Sequence, residues 1–318
     1  MESFSIYVLF ALGILLIIKG GDFFVDSARY FAEAFGIPKF IVGATVVSLA
    51  TTLPELMVSS LAAADGNTEI AIGNAIGSVI ANTGLIMAIS IIFLPMQIKM
   101  RSFFPKCSIL FASIIALLAF VRGGALTVRE SIVMLALFVL FIAENIFSYR
   151  QSIAEESVQG TQKDVKTMMG NLFLFILGTA GIVVGSDLLI DNGSAIAASL
   201  GVPENIIALT AIAVGTSLPE LVTTITALLK REASLSIGNI VGANIIDITL
   251  ILPLCAVISG GSLPVQAQTV SLDLPMCLLI TAVCLVPTLI FRRFQRYQGV
   301  LAVLFYAAYL VRICVLGV

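Results

Sequence analysis

The segment Thr51-Thr52-Leu53-Pro54-Glu55-Leu56 returns as Thr216-Ser217-Leu218-Pro219-Glu220-Leu221. Both copies lie inside long apolar runs, where an ionised carboxylate is expensive and points to function. Extended outward at a constant offset of 165, residues 20–82 align with 185–247 without a gap, and 19 of the 63 positions are identical. The identities include Gly20/Gly185, Asp22/Asp187, Asp26/Asp191, Pro38/Pro203, Thr45/Thr210 and Ile72-Gly73-Asn74/Ile237-Gly238-Asn239. Chance likeness between Leu-rich helices does not keep Pro, Gly, Asn and Glu in phase, so the chain holds an internal repeat.

Composition sets the solvent. Hydrophobic residues are 59% of 318 and charged residues 11%, with a mean hydropathy of +1.11. Most of such a chain faces lipid or other apolar helices. No basic stripe suits nucleic acid, and Met1-Glu2-Ser3 lacks the basic start of a cleaved signal peptide. Ten apolar spans are expected, at about 4–33, 40–64, 70–95, 104–121, 127–149, 169–198, 205–229, 235–258, 271–291 and 298–316. The first and sixth, near 30 residues, make helices of about 45 Å against a hydrocarbon core of about 30 Å, and so should tilt.

Orientation follows from Lys and Arg. With the N-terminus outside, the inner loops hold Lys39; Lys99, Arg101 and Lys106; Arg150, Lys163 and Lys166; Lys230 and Arg231; and Arg292, Arg293 and Arg296. Arg122 and Arg129 alone fall in an outer loop. The positive-inside rule then expects a multi-pass cell-membrane protein with both termini outside the cytoplasm. Residues 150–168 are expected as a cytoplasmic linker between halves 1–149 and 169–318, whose signatures occupy 43–82 and 208–247. Five spans per half is odd, so the second half enters the membrane in the opposite sense. The loop after each signature helix agrees, with Asp65 and Glu69 in one copy and Lys230 and Arg231 in the other. The expected fold is all-α, ten transmembrane helices as two inverted-topology repeats, an architecture of secondary transporters with a midplane site.

Pro54 and Pro219 lack an amide hydrogen, so each helix should break one residue before its glutamate. Carbonyls around Ser48 to Thr51 and Ala213 to Thr216 are then candidate cation ligands, joined by the hydroxyls of Thr51, Thr52, Thr216 and Ser217. The next span of each half adds Ser78 with Asn82 and Ala243 with Asp247, both i,i+4 pairs on one helix face. Glu55, Glu220 and Asp247 supply up to three negative charges. An all-oxygen set in a chain with no His suits hard cations such as Ca²⁺ and Na⁺.

These residues resemble the cation/calcium exchanger superfamily, particularly its prokaryotic sodium/calcium exchanger branch. That family reads G-T-S-[LM]-P-E followed by G-N-x-x-G-S-N; here stand Gly215-Thr216-Ser217-Leu218-Pro219-Glu220 and Ala50-Thr51-Thr52-Leu53-Pro54-Glu55. The resemblance spans the whole chain. It implies alternating-access antiport of Ca²⁺ against Na⁺, the ions being cargo and no cofactor or obligatory protein partner being needed beyond the lipid bilayer. Carried over, Glu55 and Glu220 are shared cation ligands with oxygens of Thr51 and Thr216. Thr52, Ser217 and Ser78 give hydroxyls, Ser48 and Ala213 carbonyls, and Asn82 and Asp247 flank a central site. The chain departs at Ala50, at Thr52 and above all at Ala243, which replaces a serine.

Proton/calcium exchange is the alternative on the same fold. Its relatives carry an acid in the form G-N-x-x-E, where Gly77 and Gly242 stand here. An intramembrane enzyme using Glu55 and Glu220 as acid and base finds no H-E-x-x-H or GxGD motif. Asp22, Asp26, Asp187 and Asp191 read as a helix-contact or solvated face. Asn74 and Asn239 suit either ligation or helix contact, Glu130 and Glu144 take no site, and the five cysteines read as reduced packing residues.

Overall fold

The computed structural model describes residues 2–155, 164–200 and 215–316. Eleven helices carry nearly all of it: α1 Glu2–Phe35, α2 Lys39–Thr51, α3 Leu53–Ala64, α4 Thr68–Phe93, α5 Met100–Phe120, α6 Val128–Glu155, α7 Val165–Ser199, α8 Leu218–Leu229, α9 Ala233–Ile258, α10 Thr269–Phe291 and α11 Arg296–Leu316. Among the described residues, seven helices are long and apolar enough to cross a membrane, and α2 with α3, bent by 44°, makes an eighth. The expected seventh span survives as the short apolar α8, the start of that span lying outside the described residues. The tenth is the 21-residue α11, which carries Arg296, Tyr297, Gln298 and Arg312.

One feature departs from the expected all-α chain. A pair of three-residue strands, β1 Ala125–Thr127 and β2 Ser262–Pro264, is antiparallel with Leu126 opposite Leu263. Both leucines are buried, so the turns after α5 and α9 close over the helix ends. At the described ends of the polar stretch around 150–168, α6 runs on to Glu155 and α7 begins at Val165, capped by Asp164. The Asp164 carboxylate accepts from Thr167 Oγ1 at 2.8 Å and from the amides of Lys166 and Thr167, which holds it below the usual carboxylate range. It also meets the partial positive charge of the helix start.

α9 is the spine, with Ala233 and Leu235–Ile246 all buried. On one side of it α1 and α7 lie against each other at small residues: a Cβ on Gly20 would meet Gly178 O at 2.9 Å. Phe24 and Phe175 stack beside that contact at 4.7 Å. Lys106, expected with the inner-loop charges, is instead fully buried within α5. It pairs with Glu144 of α6 and stands 5.7 Å above the Phe40 ring. A lysine stem is apolar, and its charge is tolerated here because a partner and a ring face meet it. Orientation does not depend on it, since Lys99 and Arg101 remain. Cys107, Cys255, Cys277 and Cys284 are buried and free.

Ion pairs tie the end of α1 to the turn between α8 and α9. Lys230 lies 2.7 Å from Asp26 and 3.2 Å from Asp22, so these aspartates form a helix contact. Glu232 takes Lys39 at 2.7 Å and Arg29 at 3.6 Å. Arg231 between them is left-handed (φ 60°), the conformation of its repeat partner Gly66 (φ 80°). A side chain there is strained, and the flanking ion pairs hold the turn against that strain.

Candidate functional site

Each signature segment forms a helix break at the same place. Thr52 has φ −84° and ψ 0°, and Ser217 has φ −86° and ψ 4°. The prolines are not the kinks themselves. Each sits in the first turn of the following helix, where a missing amide hydrogen leaves nothing unmet. Glu55 and Glu220 therefore fall in the first turn of α3 and α8, next to unpaired amides and the positive end of the helix. The last part of each unit also repeats: α4 passes into π-helix at Asn82 and α9 at Asp247. Single π turns within α-helices gather at functional sites. No periodicity in the sequence announces them.

The three acids are buried: Glu55 is 1% exposed, Glu220 and Asp247 not at all. They act on one another electrostatically. None of their six oxygens has a partner at full hydrogen-bond geometry among the described residues, and Asn82 Oδ1 is likewise unpaired; the Thr51 hydroxyl and the Glu220 amide stand near the Glu220 carboxylate, and the Glu55 amide near its own. Uncompensated buried carboxylates are among the costliest arrangements in a protein, and a bound cation or a proton compensates them. The acids do not converge on one point: no group of three or more acidic or Cys side chains stands at metal-cage spacing among the described residues.

Around them lie the expected neutral oxygens. Ser217 Oγ and Ser78 Oγ are 3.4 Å apart. Thr51 lies beside Glu220, with its hydroxyl turned to Ser48 O at 3.4 Å and Asn239 Oδ1 at 3.2 Å. Thr216 donates to Asn74 Oδ1 at 3.0 Å. The Ser48 carbonyl, expected free, is engaged twice by Thr52, from its amide at 2.9 Å and its hydroxyl at 2.6 Å. Those two bonds fill the lone pairs of the oxygen. Ala243, the repeat partner of Ser78, has no hydroxyl and is wholly buried. Ala213 lies outside the described residues.

What seats α9 against α2 is the absence of side chains. A Cβ on Gly238 would fall 2.2 Å from Phe40 O, and one on Gly242 2.8 Å from the Ala44 backbone. The two helices meet backbone to backbone, next to Asn239 and Asn244. Asn244 Nδ2 donates to Thr83 Oγ1 at 2.7 Å, binding α9 to the π turn of α4. The asparagines are the functional neighbours that residue type alone left undecided. For Asn74 and Asn239 the available signal was their recurrence at the offset of 165; Asn244 has Val79 as its counterpart and no such signal.

A family model described as sodium/calcium exchanger protein matches residues 5–147 and 170–315. An uncharacterised membrane protein of Methanocaldococcus jannaschii is 30% identical over 307 residues, covering 96% of this chain and 95% of its own. The sodium/calcium exchanger MaX1 of Methanosarcina acetivorans is 29% identical over 354 residues, with 96% and 97% covered. The inner membrane protein YrbG of Escherichia coli is 33% identical over 286 residues, 86% of each. Among solved structures, the sodium-calcium exchanger NCX_Mj soaked with Na⁺ and Sr²⁺ superposes with a TM-score of 0.83 at 27% identity, covering 97% of this chain and 99% of that one.

Proposed function

This chain belongs to the sodium/calcium exchanger protein family, and from that premise we propose that it is a secondary antiporter, not an enzyme, moving Ca²⁺ against Na⁺ by alternating access. The single observation that carries the reading is the set of three buried carboxylates, six oxygens without a partner at full hydrogen-bond geometry, at two matched helix breaks. Glu55 and Glu220 are the shared Ca²⁺ and Na⁺ ligands, with oxygens of Thr51 and Thr216. Asp247 and Asn82 flank a central position, Thr52, Ser78 and Ser217 give hydroxyls, and Ser48 and Ala213 give carbonyls. For Ser48 that role requires Thr52 to release the oxygen. Several ion positions sharing ligands account for acids that interact yet do not form one cage.

The architecture we infer is ten spans in two inverted five-helix repeats, 1–149 and 169–318, with both termini outside the cytoplasm of a cell membrane. The offset alignment, the paired breaks, the paired π turns at Asn82 and Asp247 and the paired left-handed residues Gly66 and Arg231 support it. If three Na⁺ move per Ca²⁺, one net charge crosses per cycle, worth about 2.3 kcal/mol per 100 mV.

Proton coupling is the second reading, favoured by Ala243, which withholds an oxygen from a Na⁺ position. Against it, glycine stands at both positions where proton-coupled relatives carry an acid; a Cβ at Gly242 would meet the Ala44 backbone at 2.8 Å, whereas the space at Gly77 is open. The test is ⁴⁵Ca²⁺ uptake into proteoliposomes under an outward Na⁺ gradient or an outward proton gradient at equal ionic strength. Uptake driven by Na⁺ alone supports the first reading, and uptake driven by protons alone replaces it with the second. No uptake under either gradient ends both.

A further inference from the structure

Asn74 and Asn239 occupy the same place in the two repeats, and each reaches across to the helix break of the other. Thr216 Oγ1 donates to Asn74 Oδ1 at 3.0 Å; Thr51 Oγ1 lies 3.2 Å from Asn239 Oδ1, closer than the 3.4 Å to Ser48 O, whose lone pairs Thr52 fills, with the Glu220 carboxylate also beside it. Both asparagines are buried, at 6% and 0% exposure. The orientation of the Asn74 amide is decided by its other side. Its nitrogen donates to Ser59 Oγ at 2.9 Å and to the Glu55 carbonyl at 3.3 Å, leaving the oxygen to face Thr216. Asn74 thus joins three things: the first turn of α3 that carries Glu55, its own helix α4, and the break before Glu220.

A threonine hydroxyl has one proton and two lone pairs. Free to rotate, it presents a proton to a cation as readily as an oxygen. With the proton committed to an asparagine carbonyl, the threonine shows its surroundings acceptors only. We propose that Asn74 and Asn239 are positioning residues for cation exchange, each taking the hydroxyl proton of the threonine at the opposite break and so holding that threonine's oxygens toward the ion. The assignment rests on the cation-site reading above. Neither asparagine need touch the ion.

The two struts differ. Asn239 Nδ2 has no partner among the described residues, and Thr224, the repeat equivalent of Ser59, instead accepts from Ser236 Oγ at 3.1 Å. Asn74 therefore ties the Glu55 turn to the Thr216 break, whereas Asn239 holds Thr51 alone.

The test is a double-mutant cycle, Asn74→Ala, Thr216→Val and the pair, with Thr216→Ser as the variant that keeps the hydroxyl. Calcium KM, turnover and the melting temperature with and without Ca²⁺ are measured in purified protein and proteoliposomes. Asn74→Ala should raise the Ca²⁺ KM about three- to tenfold, the scale of one hydrogen bond, and Thr216→Val, which also removes a ligand oxygen, at least as much, with a smaller change in turnover for Asn74→Ala. The pair should be no worse than the more impaired single variant, and Thr216→Ser, which keeps the hydroxyl, should recover part of what Thr216→Val loses. Multiplying effects in the pair, or an unchanged KM in Asn74→Ala, overturns the proposal. If Asn74→Ala does not fold, the cycle is run on Thr51 and Asn239, where the asparagine has a single bond to lose, and the same outcomes decide. A wild-type protein with neither Ca²⁺ uptake nor Ca²⁺-dependent stabilisation overturns the function reading, and the positioning role falls with it.

Discussion

Gly238→Ala perturbs the contact that seats the core helix α9. The added methyl would stand 2.2 Å from Phe40 O, 3.0 Å from Phe40 C and 3.1 Å from Ala44 N. These are backbone atoms, which cannot rotate away, so α2 and α9 must part by about 1 Å to reach ordinary contact. The facing position is just as tight, since a Cβ on Gly43 would lie 2.2 Å from Leu235 O. Overpacking of this kind costs about 3 kcal/mol at its upper range, offset by about 1 kcal/mol because Ala is the better helix former. A net loss of about 2 kcal/mol lowers the melting temperature by about 4–8 °C on the scale of domains of moderate size.

The functional effect should be larger. Asn239 adjoins the altered residue, and its 3.2 Å bond to Thr51 would stretch past 4 Å, beyond hydrogen-bonding range. Misplacement of about 1 Å costs up to about 100-fold in rate. Melting of the detergent-solubilised protein gives the first quantity, and ⁴⁵Ca²⁺ uptake per folded molecule gives the second. Gly123→Ala is the control, because nothing lies within 4 Å of its Cβ. Wild-type melting and uptake in Gly238→Ala would show that the backbone contact does not hold the site.

Four further outcomes follow from the same geometry. Glu55→Gln or Glu220→Gln removes a unit charge worth about 4 kcal/mol to a monovalent ion at 4 Å and about 8 kcal/mol to a divalent one, so Ca²⁺ binding should vanish before Na⁺ binding in a folded variant; retained Ca²⁺ uptake would remove the acid from the site. Ala243→Ser adds an oxygen at a wholly buried position and should steepen the Na⁺ dependence of exchange, while an identical Na⁺ titration would mean the hydroxyl has no part in it. Lys106→Met strands Glu144 and should cost about 3–5 kcal/mol, with most of it recovered in the Lys106→Met/Glu144→Met pair; equal melting of single and double variants speaks against that account. Lys230→Gln breaks partly exposed pairs and should cost under about 1 kcal/mol while weakening the salt dependence of melting, and a large loss would mean these pairs are poorly screened.

Much of this was readable without coordinates because lipid simplifies the problem. An apolar run must be a helix when no water can satisfy its backbone, so composition and run length mark the elements. A repeat that keeps Pro54/Pro219 and Glu55/Glu220 in phase marks the breaks and the acids. Local chemistry was less legible. The bends fall at Thr52 and Ser217 and not at the prolines, because a first helical turn accepts proline without loss. Lys106 looked like a loop charge because sequence does not show Glu144 and Phe40 waiting inside.

The sequence by itself determined the solvent, the family and the identity of the three acids, since hydropathy, motif and offset are all one-dimensional properties. Only the tertiary structure decided which oxygens remain without a partner. Ser48 O proved to be filled by Thr52, Glu55 and Glu220 to be unmatched, and Asn74 and Asn239 to cross between the repeats. Hydrogen bonds depend on distances of a few tenths of an ångström between residues more than 140 positions apart, and no pattern along the chain encodes them.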